Sequence, residues 1–202
     1  MSKAESLTAT SPVADRTPMI VGFGGTTREP STSELALRCC LQAAEIAGAR
    51  VVLIPAAELE FTLYDPDAPQ GTAATQFLDV VRQADGLIIA TPGYHGGVSG
   101  LVKNALDYLE ELREDQRPYL HGRGVGCISC AYGRQATTTT LVSLRSTVHA
   151  LRGWPTPLGV ALNSAEHPFA VDGEPGDPRV ADQLRVLGEQ VVGLAFALRR
   201  MP

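Results

Sequence analysis

Short hydroxyl side chains and one arginine are concentrated in the segment GGTTREPSTS, residues 24–33. This segment follows the apolar run 19–23 and precedes an amphipathic stretch, so we predict a strand-to-helix loop. Backbone N–H groups at the start of such a helix bind anions. Because hydroxyls can donate to a phosphate and an arginine can pair with it bidentately, the loop predicts a mononucleotide-phosphate site. A solvated turn that only caps the helix would have a similar composition.

A second candidate segment is PGYHGGVSG, residues 92–100, which follows the apolar run 86–91. Its recurring glycines allow the backbone to approach a planar ligand closely. Tyr94 adds an aromatic surface beside them. The hydroxyls of the first segment and the planar surface of the second together predict a flavin site.

Several other kinds of site do not match the sequence. A dinucleotide fingerprint would need a third glycine where Thr27 stands and an acidic residue at the end of the second strand. The Gly-Lys-Ser/Thr of a P-loop and the G-x-S-x-G of a nucleophile elbow are also missing from the sequence. His121, His149 and His167 are not at metal-ligand spacing, so we predict no metal site.

Apolar runs of strand length alternate with amphipathic stretches along the chain. The strands are predicted at 19–23, 50–55, 86–91, 124–129 and 157–162, and the helices at 33–47, 72–83, 100–112, 136–151 and 178–199. Ser31 and Glu34 have capping-box spacing, and Asp177 followed by Pro178 is typical of a helix start.

This alternation predicts an α/β three-layer sandwich with a five-stranded, doubly wound parallel sheet. Parallel neighbours need crossover helices, and strands that are apolar on both faces need a covering layer on each side. Ligands of such sheets bind at the carboxyl ends of the strands. We therefore expect the site in the loops 24–33, 92–99 and 129–136.

The composition is that of one folded domain. The chain has 202 residues, 44% of them hydrophobic and 19% charged, so it can bury a sizeable core. Residues 1–18 lack apolar periodicity, and we predict a flexible tail there, followed by a single domain at 19–202. The net charge of −5 and the scattered basic residues argue against binding of nucleic acid or an anionic membrane. No apolar run has membrane-spanning length and no secretory h-region is present, so we expect a cytoplasmic protein.

The chain has four cysteines, and two of them form the C-x-x-C of Cys127 and Cys130. This motif is redox-active or metal-binding in other contexts. Here it lies in a predicted strand, where a spacing of three directs the two side chains to opposite faces. We therefore predict buried structural thiols.

The sequence resembles the NADPH-dependent FMN reductase family of flavodoxin-like proteins over roughly residues 19–200. That family has Gly-Ser-x-Arg-x-x-Ser-x-Asn after its first strand and Pro-x-Tyr-Asn-Gly-x-x-Pro-Gly-x-x-Lys-Asn-x-x-Asp after its third. The resemblance implies contacts to the FMN phosphate from Gly25, Thr26, Arg28, Ser31 and Ser33. It implies contacts to the isoalloxazine ring from Pro92, Gly93, Tyr94, His95 and Gly96. The departures are Thr26, Ser33, His95 and Ser99, where the family usually has Ser, Asn, Asn and Pro.

The loop after the fourth strand departs further from the family, which usually has glycines there beside the flavin. The resemblance places further FMN contacts on Ser129, Tyr132 and Gly133. Arg134 can pair with the 2′-phosphate of NADPH or with an acidic substrate, although a solvent-facing turn would explain the same residues. His95 and Tyr132 are candidate catalytic residues. We assign no catalytic side chain, because hydride arrives at flavin N5 and the protein chiefly orients the cofactor.

The resemblance implies an FMN-dependent oxidoreductase that takes hydride from NADPH or NADH. One form supplies reduced flavin to a partner such as a flavin-dependent monooxygenase. An alternative keeps FMN bound and reduces a small-molecule acceptor, which can be a quinone, nitro, azo or biosynthetic compound. A flavodoxin-type electron carrier is disfavoured by the arginine of the phosphate loop and by the modest charge, and a flavin-free binding module is a further alternative.

Relatives in the family assemble as dimers or tetramers, commonly through the third helix and the segment before the second. The resemblance therefore implies a homodimer or homotetramer. The third predicted helix has an apolar face, but core packing would explain that face equally well.

Overall fold

The computed structural model describes residues 17–27 and 31–199. The strands are β1 (Met19–Gly24), β2 (Arg50–Ile54), β3 (Gly86–Tyr94), β4 (Gly97–Val98), β5 (Gly124–Ala131), β6 (Trp154–Pro155) and β7 (Val160–Asn163). The α-helices are α1 (Thr32–Ile46), α2 (Thr72–Gln83), α3 (Gly100–Asp107), α4 (Arg134–Ala150) and α5 (Pro178–Leu198). Residues 1–16 of the predicted tail and Arg28 of the first loop lie outside the described residues.

The sheet is parallel in the order β2-β1-β3-β5, and both β6 and β7 pair with the outer side of β5. If β6 and β7 are counted as one position, the order is that of a flavodoxin-like sheet, 2-1-3-4-5. β4 pairs antiparallel with the end of β3 and lies off this path. The predicted α/β fold with five parallel positions is confirmed.

The fifth position of the sheet differs in detail from the prediction of one strand at 157–162. Pro155 of β6 pairs with Val125, whereas Val160 of β7 pairs with Ile128. An advance of three residues along β5 therefore corresponds to five residues along the neighbouring segment. Two residues of that segment are thus extra and are not paired with β5. Thr156 anchors this excursion, because it is fully buried and its hydroxyl donates to the carbonyl of Leu158 at 2.7 Å.

Most helix ends agree with the predicted bounds. The Ser31 hydroxyl accepts a hydrogen bond from the Glu34 N–H and caps α1, and the Asp177 carboxylate accepts one from the Arg179 N–H and caps α5. The third helix is shorter than predicted, because the chain tightens into a 3₁₀ turn at Tyr108–Leu112.

Helices cover both faces of the sheet. Residues of α1 and α5 pack on one face, and residues of α2, α3 and α4 pack on the other. Cys127 and Cys130 belong to these two opposite clusters, and neither forms a disulfide. Burial raises the pKa of Cys127 to about 12 and also raises the pKa of Cys130. The prediction of buried structural thiols on opposite faces is confirmed.

Candidate functional site

The carboxyl ends of β1, β3 and β5 meet at one edge of the sheet. Gly24 lies beside Ala90, and Pro92 lies beside Cys130, because neighbouring parallel strands end together. The helices α1, α3 and α4 begin at this edge, so the positive ends of three helix dipoles lie there. We call it the carboxyl edge, and its electrostatics favour an anionic ligand.

The first loop leaves β1 through two glycines. Gly24 and Gly25 have φ angles of +123° and +100°, a conformation that other residues rarely adopt. A Cβ atom at Gly24 would lie 1.8 Å from the carbonyl oxygen of Ala90. The same carbonyl accepts a 3.0 Å hydrogen bond from the Gly25 N–H. The glycines therefore hold the start of the first loop directly against β3.

The first loop ends at the N-terminus of α1, where the Ser31 and Ser33 hydroxyl oxygens are 3.3 Å apart. An α-helix has no intrahelical acceptor for its first N–H groups, so this end can bind an anion. A carboxylate in the same turn, that of Glu34, is paired with the Arg38 guanidinium at 2.6 Å. This pairing reduces the repulsion between the carboxylate and an incoming phosphate. Thr26, at the other end of the loop, is half-buried.

The second segment forms a β-hairpin, whereas the sequence predicts an open loop at 92–99. β3 continues to Tyr94 and pairs with β4, so His95 and Gly96 alone form the connection. Their φ angles of +54° and +80° fit a type I′ turn, which requires a positive φ at both positions. Histidine and asparagine both adopt positive φ more readily than most residues. The turn therefore explains why His95 can stand where asparagine is usual in the family that the sequence resembles.

Packing against α4 and α3 holds this hairpin in place. A Cβ atom at Gly93 would lie 2.5 Å from the Thr140 hydroxyl oxygen, so glycine allows α4 to approach this closely. The Ser99 N–H donates to the Thr91 hydroxyl oxygen at 3.0 Å, and the Ser99 hydroxyl caps α3 by accepting from the Val102 N–H. The proline that is usual at position 99 could not donate the first of these bonds.

The third loop is held by the last residue of β7 and by a residue of the turn that follows it. The Gly133 N–H donates to the Asn163 side-chain carbonyl at 2.9 Å. The Asn163 amide in turn donates to the Glu166 carboxylate at 3.0 Å, and that carboxylate lies 3.6 Å from the Arg134 guanidinium. The sequence analysis assigns no role to Asn163 or Glu166, because local patterns do not show a contact across 30 residues.

The side chains of this third loop differ sharply in exposure. Tyr132 is 81% exposed, and the side chain of Arg134 is 87% exposed. Ser129 is fully buried, and its hydroxyl donates to the Thr137 carbonyl at 2.7 Å. That bond ties β5 to the first turns of α4. The predicted contact of Ser129 with a cofactor stays a prediction.

The hairpin tip and the third loop enclose an open cleft of about 630 Å³. Its walls include five of the predicted site residues, His95, Gly96, Tyr132, Gly133 and Arg134. Tyr94 stands beside the tip with 59% of its surface exposed, and Pro92 is buried within β3. The predicted phosphate-binding residues that the structure describes lie at the neighbouring end of β1 and the start of α1. Arg28, which belongs to the same prediction, lies outside the described residues.

One more polar side chain, Asn104 of α3, organises the segment that precedes α2. Its carbonyl accepts from the Tyr64 N–H and its amide donates to the Thr62 carbonyl, both at 2.9 Å. The Tyr108 hydroxyl donates to the same Thr62 carbonyl at 3.1 Å. The neighbouring pair of Lys103 and Asp107 forms the ordinary surface ion pair that its spacing predicts.

Within residues 17–27 and 31–199, no three His, Cys, Asp or Glu side chains are close enough together to hold a metal ion. In the same part of the chain, no helix combines the length and the apolar character that crossing a membrane demands.

Comparison with known proteins adds a family match. A model of the family described as NADPH-dependent FMN reductase matches residues 18–167. An FMN-dependent NADPH-azoreductase of Staphylococcus haemolyticus is 31% identical over 120 residues, which are 59% of this chain and 60% of that relative. An NAD(P)H-dependent FMN reductase of Pseudomonas aeruginosa is 28% identical over 130 residues, which are 64% of this chain and 67% of that relative.

A similar fold occurs in a solved structure of the flavoenzyme NAD(P)H:(acceptor) oxidoreductase from Paracoccus denitrificans. The TM-score is 0.67 at 17% sequence identity, and the match covers 90% of this chain and 98% of that one. At this identity the likeness concerns the fold alone.

Proposed function

This chain belongs to the NADPH-dependent FMN reductase family, and on that premise we propose that it is an FMN-dependent oxidoreductase that takes hydride from NADPH or NADH. The observation that carries the proposal is the geometry of the carboxyl edge. At that edge α1 begins with two serine hydroxyls, and the tip of the hairpin and the exposed Tyr132 line an open cleft.

The donors of the first loop fit the phosphate of FMN. The first N–H groups of α1 and the Ser31 and Ser33 hydroxyls are short donors at the positive end of a helix dipole. Thr26 completes the proposed set of donors, and Gly25 holds the backbone beside it through its own bond to the Ala90 carbonyl. Arg28 adds the bidentate partner that the sequence predicts.

The cleft fits a planar aromatic ring. Tyr132 lines it and Tyr94 precedes the hairpin tip, and both are largely exposed, so stacking on a flavin ring would bury them. Gly96 has no side chain, so the backbone at this position of the hairpin tip can approach the ring. The rigid pairing of β3 with β4 fixes the position of that backbone before any ligand binds.

Bound FMN would supply the redox chemistry of the site, accepting hydride from a nicotinamide nucleotide and passing electrons to an acceptor. The task of this chain is to orient the reactants, so we propose no catalytic side chain. Arg134 projects into solvent at the rim of the cleft with only a 3.6 Å contact to Glu166. It can therefore turn toward the 2′-phosphate of NADPH or toward an acidic acceptor.

We further propose that FMN exchanges and that the protein supplies reduced flavin, for example to a flavin-dependent monooxygenase. The open cleft supports this form, since the residues on its rim are largely exposed. A second candidate keeps FMN bound and reduces an azo compound or a similar small acceptor. It is supported by the relative named as an FMN-dependent NADPH-azoreductase.

The visible spectrum of the purified protein separates these candidates. FMN is added, the sample is desalted, and NADPH is then added without oxygen. We expect the flavin bands to bleach with NADPH under catalytic conditions and the flavin to be lost on desalting. Bands that survive desalting and still bleach would support the second candidate, and a protein that neither binds FMN nor bleaches it would contradict both.

We also propose a cytoplasmic homodimer or homotetramer. The four cysteines are unpaired, which fits a reducing compartment. Leu63 is 85% exposed on the segment held against α3, where an apolar side chain would suit a subunit contact. Light scattering coupled to size-exclusion chromatography measures the oligomeric state, and a purely monomeric mass would contradict this assembly.

A further inference from the structure

The edge of the sheet opposite the candidate flavin site contains a separate cavity of about 460 Å³. It lies where β3, β5 and β6 begin and where α5 ends, and we call this the amino edge. The wall includes Asp85, Arg117, His121, Trp154, Leu198 and Arg199. None of these residues belongs to the loops assigned to FMN.

Guanidinium groups outnumber carboxylates in and directly beneath this wall. Asp85 is 7% exposed and is paired with Arg199 through a 2.9 Å bond from Nε, and it also accepts from the Met19 N–H at 2.7 Å. Arg123 lies beneath the wall with 1% exposure, and its donors are directed to backbone carbonyls. Arg117 donates to the Ala84 carbonyl at 3.1 Å. Among the described residues, the wall therefore has two arginines and one carboxylate, and a third arginine lies beneath it.

Within residues 17–27 and 31–199, two further carboxylates near this wall are paired with other arginines. Asp115 is paired with Arg82 at 2.8 Å, and Glu110 lies 3.6 Å from Arg113. Burial and the charge of Arg117 together lower the pKa of Arg123 to about 10, although Asp85 and Asp115 act in the opposite direction. Burial also lowers the pKa of Arg117, where the charge of Asp85 opposes the shift and that of Arg199 adds to it. The cavity is thus a place where an added negative charge would relieve repulsion.

The same wall presents an aromatic and an aliphatic surface. Trp154 is 52% exposed although its backbone is fixed by a 2.9 Å bond from its N–H to the Arg123 carbonyl. Leu198 lines the same wall. A half-exposed indole in a wall that also contains arginines is suited to a ligand that is planar at one end and anionic at the other.

Two residues close in sequence to those of the wall have unusual backbone conformations. Tyr119 and Arg152 have φ angles of +52° and +62°, and the Arg152 guanidinium lies 5.2 Å from the centre of the Tyr119 ring. Both residues belong to the turns that precede β5 and β6. Backbone strain of this kind persists where the surroundings fix it, often at ligand sites.

We propose that this cavity is a second ligand site, which binds a small aromatic carboxylate with its ring against Trp154 and its carboxylate on Arg117. A single negative charge matches the wall, because Arg199 is engaged by Asp85 and Arg123 is buried beneath the surface. This site is independent of the proposed FMN site, so either can exist without the other.

Trp154 is the only tryptophan of the chain, so its fluorescence reports on this cavity. The full-length protein is titrated with benzoate, with benzyl alcohol as the uncharged control and with acetate as the control without a ring. We expect a saturable change in fluorescence with benzoate and no saturable change with either control in the same concentration range. An equal response to benzyl alcohol or to acetate would overturn the proposal.

The charge requirement is tested with Arg117→Gln. This variant should fold, because the Ala84 carbonyl keeps its bond from Arg123 Nε. We expect benzoate to bind roughly tenfold more weakly, as for the loss of one charge-assisted hydrogen bond. Arg117→Lys should recover most of the affinity.

The matched control is Arg185→Gln, which removes one positive charge from an exposed site on α5. It should bind benzoate like the unchanged protein. Equal weakening in Arg117→Gln and Arg185→Gln would overturn the proposal, and so would full affinity in Arg117→Gln. FMN titration of the same variants should show no difference, which separates this proposal from that of the FMN site.

Discussion

The two edges of the sheet are stabilised by different kinds of contact, although the same strands run from one edge to the other. At the carboxyl edge, glycines and polar side chains fix the backbone, and tyrosines and the rim arginine remain exposed. At the amino edge, charged side chains are buried, and Asp85 joins the start of β1 to the end of α5. We infer that the polar and aromatic side chains of the carboxyl edge serve mainly ligand binding, whereas the buried Asp85 ion pair of the amino edge serves mainly stability.

The largest effect is expected for Gly24→Ala, because this substitution causes both a steric clash and backbone strain. The new methyl group would lie 1.8 Å from the Ala90 carbonyl oxygen, in a backbone conformation that alanine avoids. We expect the free energy of unfolding to fall by about 4 kcal/mol, from overpacking and backbone strain together. Denaturant unfolding measures this loss.

Gly48→Ala is the matched control for that variant. Gly48 also has a positive φ, of +96°, but a Cβ there would meet no atom within 4 Å. We expect a loss of about 1 kcal/mol, from strain alone. Equal losses in the two variants would show that the close contact with β3 has no special cost.

The next effect is expected at the amino edge, for Asp85→Asn. The change removes the carboxylate that Arg199 and the Met19 N–H share, and it leaves buried guanidinium groups without compensation. We expect a loss of about 3 kcal/mol in stability, as for breaking a buried ion pair. The affinity for FMN, measured below the unfolding transition, should be unchanged, and a parallel loss of FMN affinity would break the contrast between the edges.

For Asn163→Leu we expect a smaller loss in stability than for Asp85→Asn, together with a loss of FMN affinity. Gly133 would lose the acceptor of its N–H, and the third loop would lose its link to Glu166. We expect FMN to bind roughly tenfold more weakly, with a loss in stability of about 1 kcal/mol. Isothermal titration and thermal unfolding of the same preparation compare the two effects. Unchanged FMN affinity would remove Asn163 from the account of the site.

The smallest effect is expected from thiol reagents. Burial raises the pKa of Cys127 to about 12, so the folded protein keeps this thiol protonated above the ordinary value of 9.0. We expect labelling of Cys127 and Cys130 to stay slow as the pH is raised toward 9, whereas all four thiols react after unfolding. Since the unfolded chain releases these protons first, stability should fall as the pH rises above about 9. Rapid labelling of the folded protein would contradict the assigned burial.

Local patterns were sufficient for most of the fold. The bounds of α2 agree with the sequence prediction, because its apolar positions repeat with helical spacing between clear breaks. The start of α1 was also predictable, because the capping contact joins Ser31 to Glu34, only three residues later in the sequence. The break between β6 and β7 was not, since two extra residues become visible only in their pairing with β5.

The sequence predicted residues that line the cleft but not the contacts that hold them in place, and their binding to a cofactor stays a prediction. The glycine segment and the third loop contain five predicted residues that line the cleft, and the hydroxyl segment contains the start of α1. The hairpin was missed because nothing local shows that β3 continues past residue 91 and pairs back on itself. Asn163 was missed because its contact with Gly133 depends on how β7 is placed beside β5.

The central claim is that FMN binds at the carboxyl edge, and an FMN titration of three proteins tests it most directly. The unchanged protein, Asn163→Leu and Arg117→Gln are titrated by calorimetry under the same conditions. We expect one FMN per chain, weaker binding in Asn163→Leu and unchanged binding in Arg117→Gln. Absence of FMN binding in all three, or a loss confined to Arg117→Gln, would contradict the account.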